Sequence, residues 1–376
     1  MPTPVQLSQP ELTINGNEAL VATNLTGVRP SGQIRFRFPA GYAPDQSAMN
    51  DAVFSIGLML AMATGRRLAL GFPVSDQLVR AARTVNEIYT NWFPSKLSPV
   101  AIDVPSRFDS QPVVEEKVRG ISAFTGGVDS FATALRNKEN IDSHFYVFGY
   151  DLPLDTEFKP LRDNVRANLR QAADRMQKRI IFVTTNVRTY LNPHTNWASM
   201  SHGPAIAAVG HLLSSIHNRL YIPSSFTYND LQPWGSHPLT DPLWSSARLG
   251  VVHDGAHLSR VEKTIQIADE PAVQNHLRVC LSKRTEYNCG KCVKCLRTML
   301  GLELAGELKG SQVFPSVLDL DVVRDIELTT LSQVIFMDQL VEHSVAYGRN
   351  DIAEALEVSI ARFRGSEQGK AGADGA

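Results

Sequence analysis

The sequence predicts an α/β protein with helices on both faces of a parallel sheet, and three observations favour this class. Between residues 113 and 222, short apolar stretches alternate with helical patterns, which is typical of parallel strands joined by helical crossovers. The apolar fraction, 43%, and the charged fraction, 20%, are those of a globular chain with a buried core. The length of 376 residues exceeds the roughly 100 to 200 residues of an ordinary domain, so additional units are expected around this core.

The first segment, residues 1–112, is predicted to be a small α+β unit. Its predicted elements are a strand at 33–38, a helix near 48–66, a strand at 67–70 and a helix near 74–92. The apolar run at 52–63 is shorter than the roughly 20 residues that span a bilayer. It therefore predicts a buried helix, and no membrane partner is expected.

The second segment, residues 113–300, is predicted to be the α/β unit itself. Its predicted strands are 120–124, 144–148, 179–183 and 219–222, and its predicted helices lie near 131–135, 159–177 and 203–216. A helical extension is predicted at 301–365, because apolar positions recur with helical spacing there. The tail, residues 366–376, is rich in Gly, Ala and polar residues and is predicted to be disordered.

The charge of the chain is balanced, with 37 basic and 38 acidic side chains. Since no net field attracts a phosphodiester backbone, a nucleic-acid partner is not expected. The first residues lack the pattern of a secretory signal. All four cysteines lie within sixteen positions, which suits a metal site in a reducing compartment. A cytoplasmic protein is therefore expected.

The sequence TGGVDS predicts a phosphate-binding loop. It follows a predicted strand and opens a helix, so backbone N–H groups converge there, and the glycines leave room for a bulky anion. The expected phosphate-binding residues are Thr125, Gly126, Gly127, Val128, Asp129 and Ser130. The lysine and the glycine spacing of a Walker A loop are missing. The alternative is an ordinary strand–turn–helix junction in which Asp129 and Ser130 cap the helix.

The spacing C-x8-C-x2-C-x2-C predicts a metal site. Its expected ligands are Cys280, Cys289, Cys292 and Cys295. Two C-x2-C steps fold readily around one tetrahedral Zn²⁺, and four thiolates leave no open position for a substrate, so the zinc is expected to be structural. An iron–sulfur cluster is the alternative, since ferredoxins also use C-x2-C-x2-C. Four unligated thiols are the non-functional interpretation.

The loop resembles the Ser-Gly-Gly-x-Asp-Ser loop of PP-loop ATP pyrophosphatases, with Thr125 in place of the first serine. Together with the cysteines about 150 residues later, it resembles the 7-cyano-7-deazaguanine synthase (QueC) family over roughly residues 113–300. The resemblance implies a Rossmann-like, adenine nucleotide alpha hydrolase-like fold that uses ATP, Mg²⁺ and Zn²⁺. On this interpretation Asp129 and Ser130 are the expected catalytic residues.

The implied reaction is the adenylation of a carboxylate, 7-carboxy-7-deazaguanine or a related deazapurine, followed by attack of ammonia or an amine. The products are an amide, AMP and pyrophosphate. The additional N- and C-terminal regions resemble the enlarged QueC-like proteins of bacterial defence clusters, so transfer of a deazaguanine to a protein amine is an alternative. The stretch 223–238 occupies the place of the family's substrate segment but differs from it in sequence.

Two further hypotheses belong to other classes. Transfer of sulfur to tRNA needs a reactive cysteine, yet metal ligation would use all four. A non-catalytic nucleotide-binding scaffold is the other hypothesis, and the retained loop residues argue against it. A homodimer is left open.

Residues outside the two motifs have two interpretations each. His202, before a predicted helix, either binds ATP or is simply solvated. Arg260 and Lys263, about one helical turn apart, either neutralise phosphate or form an exposed basic face. The remaining candidates, which either line a ligand pocket or serve packing and turns, are Trp234, Asp241, Trp244, His253 and Asp254.

Overall fold

The computed structural model describes residues 3–108, 118–280 and 287–366. In these ranges the strands are β1 (Val5–Leu7), β2 (Glu11–Asn15), β3 (Glu18–Thr26), β4 (Gly32–Pro39), β5 (Leu68–Leu70), β6 (Val74–Ser75), β7 (Ile102–Asp103), β8 (Arg107–Phe108), β9 (Gly120–Ala123), β10 (Ile141–Phe148), β11 (Arg179–Thr185), β12 (Arg219–Pro223) and β13 (Gly250–Asp254). The α-helices are α1 (Gln46–Thr64), α2 (Asp76–Trp92), α3 (Val128–Arg136), α4 (Lys159–Arg175), α5 (Val187–Leu191), α6 (His202–Leu212), α7 (Arg260–Ile267), α8 (Pro271–His276), α9 (Val293–Leu304), α10 (Leu320–Arg324), α11 (Leu331–Ala346) and α12 (Asn350–Gly365). The expected boundary between residues 112 and 113 and the expected disorder of 367–376 lie outside the described residues.

One large, mixed and mostly parallel sheet runs through the described part of the chain. Its strand order is β13-β12-β9-β10-β11-β4-β3-β1-β5-β7, with β2 beside β3. The strands from β13 to β11 pair in parallel. β4 joins β11 antiparallel, with Arg37 opposite Thr184 and Phe36 opposite Thr185. The α/β class is therefore confirmed, but the sheet is mixed because the antiparallel β3–β4 pair of the N-terminal segment extends it.

The elements predicted from hydrophobic periodicity are present in the described ranges. β9, β10, β11 and β12 cover the four strands predicted in the second segment, and α1, α2 and β4 match predictions in the first. In β10, Phe145 and Val147 face one apolar cluster, whereas Tyr146 and Phe148 face another. This period of two, apolar on both faces, is the pattern of a strand covered by helices on both sides.

Helix α1 is a core helix, as its apolar sequence predicts. Asp45 caps its start by accepting a hydrogen bond from the Ala48 N–H at 3.0 Å, and Gly65, at φ +61°, ends it in the left-handed conformation. Among the described residues, α1 alone has the length and hydropathy of a membrane span, but 83% of that window is buried inside the fold. It packs against α6, and each fully buried Leu or Phe side chain contributes roughly 1.5–3 kcal/mol.

The carboxyl ends of β9, β10 and β12 meet at one edge of the sheet. From β9 the chain proceeds to β10 on one side, and β12 is added later on the other side. Ligands bind at such reversals of strand order in open α/β sheets, because a crevice opens between the diverging connections. Helices α10, α11 and α12 form a separate apolar cluster with residues of α7 and α9. The loop that follows β9 therefore lies at the position where open α/β sheets bind ligands.

Candidate functional site

The TGGVDS loop lies between β9 and α3, as predicted. Gly126 has φ +75°, and its carbonyl accepts a hydrogen bond from the backbone N–H of Arg278 at 2.7 Å. The Gly127 N–H donates to the Thr125 hydroxyl at 3.4 Å. Gly127 is the N-cap of α3 and has no side chain to accept from the first turn. The N–H groups of that first turn have no intrahelical acceptor, so they are available to an anion.

The two polar side chains at the start of α3 have different surroundings. The buried Ser130 hydroxyl donates to the Gly127 carbonyl at 2.9 Å and so tightens the loop. Asp129 accepts from two nitrogens of Arg260 and lies 3.5 Å from the Lys263 ammonium nitrogen. Burial acts to raise the pKa of Asp129, but the charges of Arg260 and Lys263 outweigh it, and the pKa lies below its usual value. Asp129 is therefore a carboxylate held between two cations.

A cavity of ≈ 400 Å³ opens beside the loop and is rich in positive charge. The cations that line it are Arg260, Arg278, Lys294 and Arg297, against the carboxylates of Asp129 and Asp151. The Nε atoms of Arg278 and Arg297 are buried and have no hydrogen-bond partner within the described residues. A buried guanidinium nitrogen without a partner is costly, and an anion in the cavity would compensate the charge of the guanidinium groups that line it.

The pKa shifts of Lys294 and Arg297 have a common cause. Burial and the charge of Arg260 lower the pKa of the Arg297 guanidinium well below its usual value. Burial, with Arg260 and Arg297 nearby, lowers the pKa of Lys294 to about 8. The cluster is therefore a set of crowded like charges, and a polyanion would relieve their repulsion.

A second cavity, of ≈ 230 Å³, adjoins the first and is lined by aromatic, aliphatic and small polar residues. The two cavities share Thr125, Asp129, Ser130, Asp151 and Ser225. The aromatic residues of the second cavity include Phe124, Phe145, Tyr146, Tyr150 and Trp197. One continuous crevice thus has a cationic end and an aromatic end, which is the division that a nucleotide or another charged heterocycle requires.

His202 lines the second cavity and is absent from the lining of the first. It is the first residue of α6, and its Nδ1 lies 3.1 Å from the Trp197 carbonyl oxygen. Burial lowers the pKa of His202 below its usual value, so the neutral imidazole is favoured. Its position suits contact with a heterocycle better than contact with phosphates.

The four cysteine sulfurs form one cluster, with all ligand atoms within 4.8 Å of one another. The Sγ atoms of Cys280 and Cys292 are 4.0 Å apart, and those of Cys289 and Cys295 are 3.9 Å apart. Thiolates about 2.3 Å from a tetrahedral zinc have this separation, since the edge of such a tetrahedron is about 3.8 Å. The predicted Cys₄ set is thus brought together in a geometry compatible with zinc.

Asn288 joins the two chain segments that carry these cysteines. Its Oδ1 accepts from the N–H groups of Val279 and Cys280 at 3.0 and 3.3 Å. Its Nδ2 donates to the carbonyls of Leu277 and Val313 at 2.8 and 3.3 Å. One half-buried amide therefore fixes the backbone beside the cysteines, and with it the segment around Arg278 whose backbone N–H bonds the glycine loop.

The sequence left undecided whether Arg260 and Lys263 form an exposed basic face, and the structure shows that they do not. The side chains of Arg260 and Lys263 are 12% and 2% exposed, and both point at Asp129. Lys263 also donates to the carbonyl and the hydroxyl of Ser224 at 2.8 and 3.0 Å. Of the two interpretations, the structure favours a role at the loop.

The other candidates divide between the second cavity and the core. Trp244 is buried in the main apolar cluster. Asp241 is fully buried and accepts from Ser236 at 2.6 Å, with the His253 Nδ1 at 2.7 Å. Ser236 lines the second cavity, so this polar group braces a wall of the crevice. Asp254 instead forms an ion pair with Arg136 of α3.

Sequence reasoning missed Arg278, Lys294, Arg297 and Asp151. A signal was present for three of them. Arg278 stands two residues before Cys280, Lys294 lies between Cys292 and Cys295, and Arg297 follows two residues later. Basic residues next to metal ligands are held rigidly, so they were candidates for a fixed cationic site. Asp151 had no such signal, because only the fold brings it to the crevice.

Comparisons with protein-family models, with curated proteins and with solved structures find no match for this chain. The family resemblance therefore stays an inference from the loop and the cysteine spacing.

Proposed function

We propose that this chain is an ATP-dependent, AMP-forming carbon–nitrogen ligase of the PP-loop class, with a Rossmann-like, adenine nucleotide alpha hydrolase-like core. One observation carries the proposal: a cavity lined by four cations opens at the glycine loop and continues into a second cavity that five aromatic residues help to line. Triphosphate suits the first cavity, and a flat heterocycle suits the second.

The chemistry explains why ATP is needed. A carboxylate is a poor electrophile, because direct attack by an amine would have to expel oxide. In the proposed first step a carboxylate oxygen bonds to the α-phosphorus of ATP, and the bond from that phosphorus to the pyrophosphate breaks. The amine nitrogen then bonds to the acyl carbon, AMP leaves with the bonding electrons, and the nitrogen loses a proton to solvent. Water must be kept out, since it would hydrolyse the acyl-AMP.

The residues of the crevice have distinct proposed roles. Arg278, Lys294 and Arg297 stabilise the charge that grows on the departing pyrophosphate, together with the first turn of α3. Ser130 keeps the loop closed through its bond to Gly127. Mg²⁺, held by the phosphates and by a carboxylate such as that of Asp151, would neutralise further phosphate charge. Alignment of carboxylate and α-phosphate is the largest expected contribution of the protein.

Zinc is proposed as the ion of the cysteine cluster, with a structural role. The cluster supplies four ligands for one tetrahedral ion, which leaves no position for a substrate. Its effect on catalysis would be indirect, through the basic residues that flank the ligands.

The test is pyrophosphate release from ATP with 7-carboxy-7-deazaguanine and with its amide. We expect release that depends on the carboxylate, on Mg²⁺ and on the loop. Gly126→Ala should abolish it, because a Cβ there meets Leu169 Cδ2 at 2.7 Å and φ is +75°. Gly306→Ala is the matched control, with φ +77° and open space around the added Cβ. Unchanged release in Gly126→Ala, or no release with the carboxylate, would refute the proposal in this form.

An amine larger than ammonia is a second candidate for the acceptor, and one observation favours it. A wide cleft of ≈ 510 Å³, lined by segments 149–155 and 185–193, shares Tyr150 and Asp151 with the second cavity. An amine on a protein could approach the acyl carbon through such a cleft. Intact-mass spectrometry of a candidate partner would detect the added deazaguanine, and an unshifted mass leaves ammonia as the acceptor.

A further inference from the structure

Helix α11 of the C-terminal extension places one aromatic side chain against the arginines of the first cavity. The guanidinium carbons of Arg260 and Arg297 lie 4.4 and 4.3 Å from the ring centroid of Phe336. Arg260 belongs to α7 and Arg297 to α9. A single ring therefore contacts two cations from two different helices, and both cations line the cavity beside the glycine loop.

Two guanidinium groups within 4.4 Å of the same ring centroid repel each other unless their charge is compensated. Arg260 has the carboxylate of Asp129. The buried Nε of Arg297 has no hydrogen-bond partner among the residues described. The face of an aromatic ring attracts a guanidinium, most strongly where water is excluded, and Phe336 is only 8% exposed. The ring is thus a compensating group for this pair of cations.

The ring is itself fixed in place. Phe226 stacks on Phe336 with the ring centroids 5.4 Å apart and 15° between the planes. One turn further along α11, Gln339 donates to the Asp230 carboxylate at 2.8 Å. Helix α11 is therefore attached at two points, Phe226 and Asp230, to the segment 223–238. The Phe336 ring cannot turn away from the arginines without breaking its packing against Phe226.

We propose that Phe336 is a positioning residue that holds Arg260 and Arg297 together, ready for the phosphates of ATP or for pyrophosphate. The identity of this anion rests on the proposed function. A pair of cations ordered before the anion arrives loses less conformational freedom on binding. The ring thereby raises affinity without touching the anion, and the C-terminal extension becomes part of the catalytic unit.

The experiment measures binding of inorganic pyrophosphate to the full zinc-loaded chain by calorimetry. Phe336→Leu keeps an apolar side chain and removes the ring face, whereas Phe336→Tyr keeps the face. We expect about tenfold weaker binding in Phe336→Leu and a change of less than about twofold in Phe336→Tyr. Leu356→Ala, a buried change on α12 in the apolar cluster of the C-terminal helices, should lower thermal stability and leave the affinity unchanged.

A second measurement separates positioning from general loosening of the helices. In an Arg297→Met background, Phe336→Leu should cost clearly less affinity than in the unmodified chain, because one of the two cations it positions is gone. If Phe336→Leu lowers pyrophosphate affinity equally in both backgrounds, the proposal is overturned. Equal losses of affinity in Phe336→Leu and Leu356→Ala would also overturn it. If the binding pattern holds while no carboxylate supports turnover, the proposed function fails and the positioning role stands.

Discussion

A buried guanidinium whose nitrogen has no partner destabilises the protein that contains it. Arg278 is in this position, since it is 9% exposed and its Nε has no hydrogen-bond partner among the described residues. Its backbone N–H, by contrast, is bonded to Gly126. The residue thus has two separable functions, one in its backbone and one in its charge.

Substitution of Arg278 by methionine separates these functions. The backbone bond to Gly126 remains, so we expect the unfolding temperature without nucleotide to stay the same or to rise. ATP affinity should fall about 10- to 100-fold, the usual cost of losing charged hydrogen bonds. Calorimetry and thermal unfolding measure the two quantities, with Arg83→Met as the control because that side chain is 87% exposed. Lower stability with unchanged affinity would assign Arg278 to the fold alone.

Asp51 is a buried acid far from the crevice in sequence. Burial raises its pKa to about 7, and a hydrogen bond from the Ser75 N–H at 2.9 Å offsets this only in part. Between about pH 4 and pH 7 the folded chain therefore binds a proton that the unfolded chain has lost. Stability should fall as pH rises through this window and then level off.

Asp51→Asn removes this titration. Because burial raises the pKa of Asp51 from 3.8 to about 7, its titration changes the free energy of unfolding by at most about 4 kcal/mol. In Asp51→Asn the free energy of unfolding should therefore depend less on pH between 5 and 8 than in the unmodified chain. Urea unfolding at pH 5 and at pH 8 measures this difference in stability. An identical pH dependence in Asp51→Asn would show that this carboxyl does not titrate in the window.

At the scale of elements, α9 connects the metal site with the cation cluster. Its N-cap is Cys292, its first turn holds Cys295, and Lys294 and Arg297 line the cavity. The ion would therefore fix the start of the helix whose side chains line the cavity beside the glycine loop.

Removal of the metal should abolish ATP binding along with the structure of this region. Cys292→Ser should lower zinc content from one ion per chain to nearly none, because three ligands bind far more weakly than four. Elemental analysis and ATP titration report the two effects. Zn²⁺ returned to the chelated wild-type chain should restore binding, and Mg²⁺ should not. A zinc-free chain with full ATP affinity would contradict this coupling.

The sequence predicted those parts of the site that are local in the chain. The loop and the cysteine ligands were found because each forms a short motif with a physical rationale. Phe336 carries no local signal, since its significance comes from packing against Arg260 and Arg297, residues of two other helices. The sequence left open whether His202 binds ATP or is solvated, because it gives no direction for the side chain at the start of α6, and the structure places His202 in the lining of the second cavity.

At the scale of the whole molecule, helices and strands were predicted better than their assembly. Hydrophobic periodicity located the main strands, but periodicity carries no information on which strands become neighbours. The pairing of β4 with β11 joins residues about 150 positions apart, and α1 packs against α6 over a similar distance in sequence. The N-terminal segment therefore shares a sheet and an apolar cluster with the strands that carry the site.

A chain shortened to begin at residue 118 tests the importance of this shared sheet. It would expose the edge of β11 and the apolar face of α6, so we expect aggregation or loss of cooperative unfolding. Soluble yield and urea unfolding measure the outcome. Co-expression with residues 1–108 as a separate chain should restore solubility and ATP binding. Cooperative unfolding of the shortened chain alone would show that residues 118–366 form an independent domain.

The antiparallel pairing of β4 with β11 cannot form until β11 has been synthesised. β4 leaves the ribosome long before β11 exists, and at translation rates of about 5–20 residues per second the interval is on the order of ten seconds. During that time the growing chain has an open β-edge, and Arg35 and Arg37 place charge along it. These charges therefore lower the tendency of the nascent N-terminal strands to pair with other chains before β11 has been synthesised.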